Sequence, residues 1–567
     1  MLRGETPYRS MTSPSSAETS TQRIAWAILI IVTLYVCYFS HLGVIGFVGP
    51  DEPRYAWIAR DMAETGDWVT PRLYGTPWFE KPPLLYWGGA IFFKLFGSSA
   101  QEVAARLPSA ISALLATLAL AWLAWRTYGQ ECARWLLLLL PTSAAMIGFS
   151  HAAATDMPFA GMLTVAMVCA AVVLGRTPSE STPILPRTPW LALVLFGFFL
   201  GLAVLAKGPA AIILCGGAVF FWAILTKSRR DALRLLHPAA IASFCLTALP
   251  WYILCARRNP NFFRIFIIEH NFKRYLTPEF QHVQPFWFYV PITCIALFPW
   301  IVGVLPAVKD IVPRLSSVSG RTEWGFELLA LCWFLWPLLF FSVSKSKLPG
   351  YILPVVPPAM LLIIGMIFRK REEDRNRTRA AATVIGATLF FSGITLVALS
   401  RKIPSGQDII PATWHAPIFL SLILGGLISV VLARTKRANA ALLCSTVTAL
   451  FALLGAYDGL RWIDPLYSAR KSASDVRRLH REFDPSQAAV YRASRGIEFG
   501  LNYYLRRELP SWLPGSPPAR WVFTPYSGTA ELEKQGFKCP RFSVFPAVFL
   551  CENAALLDRL GGGRQPR

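Results

Sequence analysis

Asp51 and Glu52 stand side by side in GPDEPRYAWIARDM, residues 49–62, at the end of a long apolar run. Asp51 precedes Pro53 and a helical pattern that ends near Gly66, which fits a helix N-cap with proline in the first turn. Capping accounts for one carboxylate and leaves the second, and both are expected to face outward from the apolar run. Glu80 and Lys81 form the next pair, wedged in LYGTPWFEKPPLLYW, residues 73–87, between Trp78, Phe79 and Pro82-Pro83. The prolines keep a regular helix from absorbing these charges. A fixed acid–cation pair among aromatics suits a phosphate or a sugar, and an ion pair bracing the loop is the other reading. Asp156, in SHAAATDMPF (150–159), fits a cap with Pro158. IIEHNFKRYLTPEFQHVQPFWFY (267–289) gathers Glu269, His270, Lys273, Arg274 and His282, a set suited to a metal or an anion. In SVSKSKLPGYILP (342–354), Lys345 and Lys347 precede Tyr351. A cation-plus-tyrosine arrangement suits a lipid phosphate, and an aromatic belt explains Tyr351 equally.

The elements that must position these residues are apolar. The chain has 567 residues, 54% hydrophobic and 16% charged, with mean hydropathy +0.43. A bilayer core takes about 20 apolar residues per helix. Runs of about that size lie at residues 24–48, 101–125, 131–149, 151–175, 190–206, 208–226, 238–256, 286–308, 326–343, 350–368, 380–399, 415–433 and 439–457. They predict an α-helical polytopic membrane protein of about thirteen spans. The first run lacks a small-residue cleavage site and reads as a retained anchor after a cytoplasmic tail, 1–23. Residues 84–97 are apolar but short and contain Lys94, which suits an interfacial helix. The basic loops KSRRDALR (227–234), RKREEDRNRTR (369–379) and RTKR (434–437) then fall on the cytoplasmic side. This topology absorbs much of the net charge of +23, so nucleic acid is not expected as a partner. It leaves Lys81, Lys207, Lys273, Arg274, Lys345 and Lys347 outside, where orientation does not ask for cations. Such residues are candidates for an anionic ligand, with snorkelling at the headgroups as the alternative.

Residues 24–457 are thus expected to be the membrane unit, with a first outer loop at 49–100, and 458–567 a small α/β domain. In that domain SASDVRRLHREF reads as a helix opened by a Ser/Asp cap and RGIEFGLNYYLRREL as a second helix. AAVYR, RWVFT and FSVFPAVFL read as strands, the proline placing the last at an edge. Nine of the eleven cysteines lie in or beside apolar runs. Cys539 and Cys551 lie in the polar tail, where an extracytoplasmic location permits a disulfide and two separate buried thiols are the alternative.

The stretches GPDEPRYAWIARDMAETGDWVTPRLYGTPWFEKPPLLYW, EHNFKRY and FFSVSKSKLPGYILPVVPP resemble the bacterial ArnT-type lipid A glycosyltransferases. These are GT-C enzymes related to protein O-mannosyltransferases, and the resemblance covers nearly the whole chain. It implies an inverting transferase of the inner membrane, with site and C-terminal domain periplasmic. The implied donor is a sugar, 4-amino-4-deoxy-L-arabinose, linked to undecaprenyl phosphate, and the acceptor a phosphate of lipid A. It also implies catalytic roles for Asp51, Asp156 and Glu80, and lipid-phosphate binding by Lys81, Arg274 and Tyr351. Glu80 with His270 is the implied position for a divalent cation, and a monomer is expected. A relative acting with hexosamine, galacturonate or mannose, or on a protein or glycan hydroxyl, is the alternative. A transporter fits less well, because the spans are nearly free of acids and the charges gather at one face.

Overall fold

The computed structural model describes residues 19–97, 99–175, 190–273, 283–303, 305, 325–368, 374–400, 415–517, 519–539 and 548–554. Thr19 opens the first helix through a reciprocal capping box with Gln22, and α1 runs Ser20–Tyr38. It stops well short of the apolar run's end at 48, because His41 adopts a left-handed backbone and the chain turns there. Helix α2, Asp51–Thr65, carries Asp51, Glu52 and Pro53 in its first turn, where acids meet the positive helix end, and Gly66 at φ 76° closes it. A short antiparallel pair, β1 (Arg72–Leu73) and β2 (Thr76–Pro77), leads through Pro82-Pro83 to α3, Leu84–Phe96. At thirteen residues α3 remains a short apolar helix, as its sequence indicates.

Helices α4 (Gln101–Tyr128), α5 (Gln130–Leu139), α6 (Ala144–Ser150), α7 (Asp156–Leu174), α8 (Trp190–Lys207), α9 (Ala210–Leu225), α10 (Arg229–Leu233) and α11 (Pro238–Arg258) follow. A π-helical stretch, Arg264–Lys273, precedes α12 (Tyr289–Ala296), α13 (Gly325–Val343), α14 (Val356–Phe368), α15 (Asp374–Ser400), α16 (Ala416–Arg434) and α17 (Ala438–Tyr467). Among the described residues ten helical segments are long and apolar enough to cross a membrane, and α5 with α6 makes an eleventh, bent by 60°. The chain is a multi-pass membrane protein. Each of the thirteen apolar runs holds one of these elements, with α9 and the segment around α12 shorter than a full span. The α5–α6 bend falls at Pro141, and the Thr142 and Ser143 hydroxyls donate to the Leu138 and Leu140 carbonyls beside it, each at 2.7 Å. Helix α7 is buried from Met157 to Leu174, which is why it is apolar on every face.

Helix α17 continues without a break through residue 458 to Tyr467. Beyond it come α18 (Arg470–Leu479), β3 (Ala488–Val490), α19 (Arg495–Leu505), β4 (Trp521–Thr524), α20 (Tyr526–Lys534), β5 (Phe537–Lys538) and β6 (Phe549–Asn553). Helix α18 starts before the expected Ser/Asp cap, with Ser472 and Asp475 buried inside it. The sheet order is β3-β4-β6-β5, with β3 and β4 parallel. Strand β6 is therefore an interior strand and the edge assignment is corrected: it begins at Phe549, past Pro546, so its N–H groups remain available for the ladder. Cys539 and Cys551 are joined as a disulfide.

Candidate active site

Two groups of charged side chains form around the starts of α2 and α7. In the first, Arg54 is the hub, its side chain only 6% exposed. It pairs with Asp51 one turn earlier on α2, donates from Nε to the Pro50 carbonyl at 2.8 Å, and donates from Nη1 to Glu80 Oε2 at 3.2 Å. Lys81 Nζ lies 3.4 Å from Glu80 Oε1, so Glu80 is held between two cations. The guanidinium also packs on the rings of Trp78 (5.5 Å), Tyr55 (5.9 Å) and Phe499 (5.2 Å). Burial works against the Arg54 charge, but Glu80 and Asp51 outweigh it and hold its pKa above the usual arginine value. Burial, then the negative charges of Glu80 and Asp51, push the Tyr55 and Tyr86 hydroxyls far up, so both remain proton donors. The Tyr86 hydroxyl and the Trp78 indole N–H are buried without hydrogen-bond partners among the described residues. Unpaired buried donors are costly in a finished core and useful where a ligand supplies the acceptor. Asp51 is half exposed, so the group combines one accessible carboxylate with buried cations.

In the second group Lys207, at the end of α8, pairs with Asp156 at 2.5 Å. Its ammonium sits 4.4 Å from the Tyr351 ring centroid and 5.7 Å from that of Phe159. Gly350 permits this approach, since a Cβ there would lie 2.6 Å from Asp156 Oδ1. The cap readings are both corrected. The N-cap positions belong to Pro50 and Thr155, neither acid makes a capping bond, and each pairs with a cation instead.

Glu52 joins the two turns. Its Oε1 accepts from Ala153 N–H (2.7 Å) and Arg106 Nε (2.9 Å); its Oε2 accepts from Val48 N–H (2.8 Å) and Arg106 Nη2 (2.8 Å). Arg106 spends its other donors on the carbonyls of Leu42, Ile45 and Gly46 at 2.7–2.9 Å, so all five guanidinium N–H groups are used. The expectation that both adjacent acids face outward is therefore half wrong. Glu52 is buried and ties the Asp51 turn to the loop leading into Asp156, because a buried arginine with five donors needs a charged acceptor.

The C-terminal unit packs on the same region. The Phe47 N–H donates to the Tyr504 hydroxyl (2.9 Å), which donates to Glu102 (2.8 Å). Asn502 reaches the Tyr74 hydroxyl at 3.2 Å, and Arg60 lies 4.2 Å from the Tyr503 ring centroid. Phe499 brings α19 onto Arg54 itself.

Of the expected site residues, the structure brings together Asp51, Glu80 and Lys81, and separately Asp156 and Tyr351. Arg274 and His282 lie outside the described residues. His270 is in the π-helical stretch, where Glu269 lies 3.5 Å from Arg264. Among the described residues no three His, Cys, Asp or Glu side chains gather as a metal site. Lys347, expected as an anion-binding candidate, is turned inward and donates to the Ser344 and Gln284 carbonyls at 2.5 and 3.0 Å. Burial and then Lys345 lower its pKa. Sequence reasoning missed Arg54, Arg106 and Phe499, and marked Lys207 only as an outward cation. The i, i+3 spacing of Asp51 and Arg54 was the one available signal.

Residues 24–266 match the family described as dolichyl-phosphate-mannose-protein mannosyltransferase. An undecaprenyl phosphate-alpha-4-amino-4-deoxy-L-arabinose arabinosyl transferase from Sodalis glossinidius is 31% identical over 407 residues, covering 71% of this chain and 70% of that protein. The chain belongs to this arabinosyl transferase family. A relative of the same name from Edwardsiella ictaluri is 33% identical over 331 residues, and the chain spans 57% of its length. The fold is that of ArnT from Cupriavidus metallidurans, solved bound to undecaprenyl phosphate, at TM-score 0.72 and 21% identity, covering 96% of this chain and 99% of that one. Family membership and fold together confirm the GT-C architecture expected from the sequence.

Proposed function

We propose that this member of the arabinosyl transferase family moves 4-amino-4-deoxy-L-arabinose from undecaprenyl phosphate to a phosphate of lipid A, on the periplasmic face of the inner membrane. Residues 24–457 act as the catalytic unit and 458–567 as a periplasmic domain. The observation that carries this reading is the first charged group: an accessible carboxylate, Asp51, above Arg54, Glu80 and Lys81, with the Tyr86 and Trp78 donors left unpaired. In this reading the working unit is the monomer.

In this reading an acceptor phosphate oxygen attacks the sugar's anomeric carbon. The bond from that carbon to the carrier phosphate breaks, and its electron pair leaves on the carrier's phosphate oxygen. Lys81, Arg274 and Tyr351 stabilise the charge that grows there. A phosphate monoester, with a second pKa of about 6, arrives mostly ionised and needs no general base. Asp51 and Asp156 then hold the sugar and its ammonium group, and Glu80 fixes Arg54 and Lys81 in place. With a hydroxyl acceptor, Asp51 would instead be the base.

The test is transfer by purified protein in vesicles containing the carrier-linked sugar and lipid A. Wild type should form the modified lipid and Lys81→Ala should lose at least about a hundredfold in rate, the typical cost of one electrostatic stabiliser. Equal rates for the two would sink the assignment of Lys81 to the leaving phosphate.

A further inference from the structure

A cleft of about 790 Å³ opens between α8, α9 and α11, roofed by α10. On α8 it is lined by Phe196, Gly197 and Leu200, around the middle of the helix, and its roof α10 follows the end of α9 remote from Lys207, so its charged end lies toward the membrane face opposite the charged site. Its lining is apolar except for Arg229. The lining residues on α9 run from Ile212 to Ile224, a rise of about 18 Å at 1.5 Å per residue. One leaflet of a hydrocarbon core is about 15 Å deep. Ile212, Phe220 and Ile224 are exposed, so the cleft is open sideways to the bilayer. At its roof the segment 227–234 carries Lys227, Arg229, Arg230 and Arg234 against the single acid Asp231.

We propose that this cleft holds one anionic phospholipid of the leaflet opposite the site, an acyl chain along α9 and the headgroup phosphate on Arg229. Depth, lateral opening and charge agree on that occupant. The apolar length matches one chain of one leaflet. A planar guanidinium presents the fork of donors that a phosphate diester accepts. The surplus of cations around it selects an anionic over a zwitterionic headgroup.

The glycines supply a specific probe. A Cβ at Gly216, which lines the cleft, would meet nothing within 4 Å, whereas a Cβ at Gly197 would strike the Ala240 carbonyl at 2.1 Å. Gly216→Trp therefore fills the cleft without displacing the α8–α11 contact. The protein is reconstituted in vesicles of equal phosphatidylglycerol and phosphatidylethanolamine, extracted, and examined by native mass spectrometry. Wild type should retain one phosphatidylglycerol, preferred about fivefold over phosphatidylethanolamine, the ratio that one cation near the surface supplies. Gly216→Trp should lose the bound lipid. Arg229→Gln should keep a lipid but lower the preference, and this change of an exposed side chain carries the test if Gly216→Trp fails to assemble. Wild type without bound lipid or without preference, an unchanged lipid count in Gly216→Trp, or an unchanged preference in Arg229→Gln would each overturn the proposal.

Discussion

Glu52 is adjacent to the accessible acid, yet its chemistry is structural, and this can be tested quantitatively. Glu52 and Arg106 are 8% and 2% exposed and share two hydrogen bonds. Removing one partner of a buried pair costs about 3–5 kcal/mol, because the other charge is left uncompensated. Glu52→Gln keeps the shape and some acceptor capacity, so its loss should fall near about 3 kcal/mol, the low end of that range. Arg106→Met also strands the Leu42, Ile45 and Gly46 carbonyls, at about 1 kcal/mol or more each, and should be the more damaging change. In the double variant no buried charge remains, so the pair should cost about 3 kcal/mol less than the sum of the single effects. The assay is denaturant unfolding in detergent micelles followed by tryptophan fluorescence. Additive losses, or a Glu52→Gln loss below about 1 kcal/mol, would show that the charges are not coupled as described.

Three further outcomes follow from the same geometry. Phe499→Ala removes the α19 ring from Arg54, and should lower transfer about tenfold or more while leaving the unfolding midpoint of the C-terminal unit nearly unchanged; equal loss of both would make Phe499 a packing residue only. The Cys539–Cys551 bridge closes a twelve-residue separation, so Cys539→Ser with Cys551→Ser should destabilise the sheet by about 3 kcal/mol, read as faster hydrogen exchange in β4 and β6. Burial raises the Glu498 pKa above the usual carboxylate range, with Glu508 adding to it against Arg495. A raised folded-state value means that its contribution is present below the unfolded pKa of about 4 and is lost as pH rises through the folded value. Glu498→Gln should therefore melt higher than wild type at neutral pH, with the two converging below about pH 4; a constant gap at all pH values would contradict this.

The apolar runs were legible because a span must be apolar over its whole length, and all thirteen runs hold helices or parts of them. The bend between α5 and α6 was written in Pro141, but a proline within an apolar run does not say whether the helix kinks or ends. Asp51, Glu80, Lys81 and Asp156 were legible as candidates, since they are charges set among prolines and aromatics beside apolar runs. Their partners were not. Glu52 bonds to Arg106, 54 residues away, and to Ala153, 101 away, and no local pattern distinguishes an acid turned inward from one turned out. Arg54 was hidden for a related reason: an arginine on an amphipathic helix reads as a solvated face until Glu80 and Phe499 are seen against it. The interior position of β6 depended on β5, whose two residues are too few to show a period.

In the proposed reaction Asp51 and its neighbours act on a sugar destined for lipid A. The most direct measurement is mass spectrometry of lipid A from a deletion strain, complemented with wild type or with Asp51→Ala. An added mass matching one aminoarabinose is expected with wild type, and its absence with Asp51→Ala expressed at equal level. Lipid A of unchanged mass in all three strains would contradict the acceptor, and modification by Asp51→Ala equal to wild type would contradict the site.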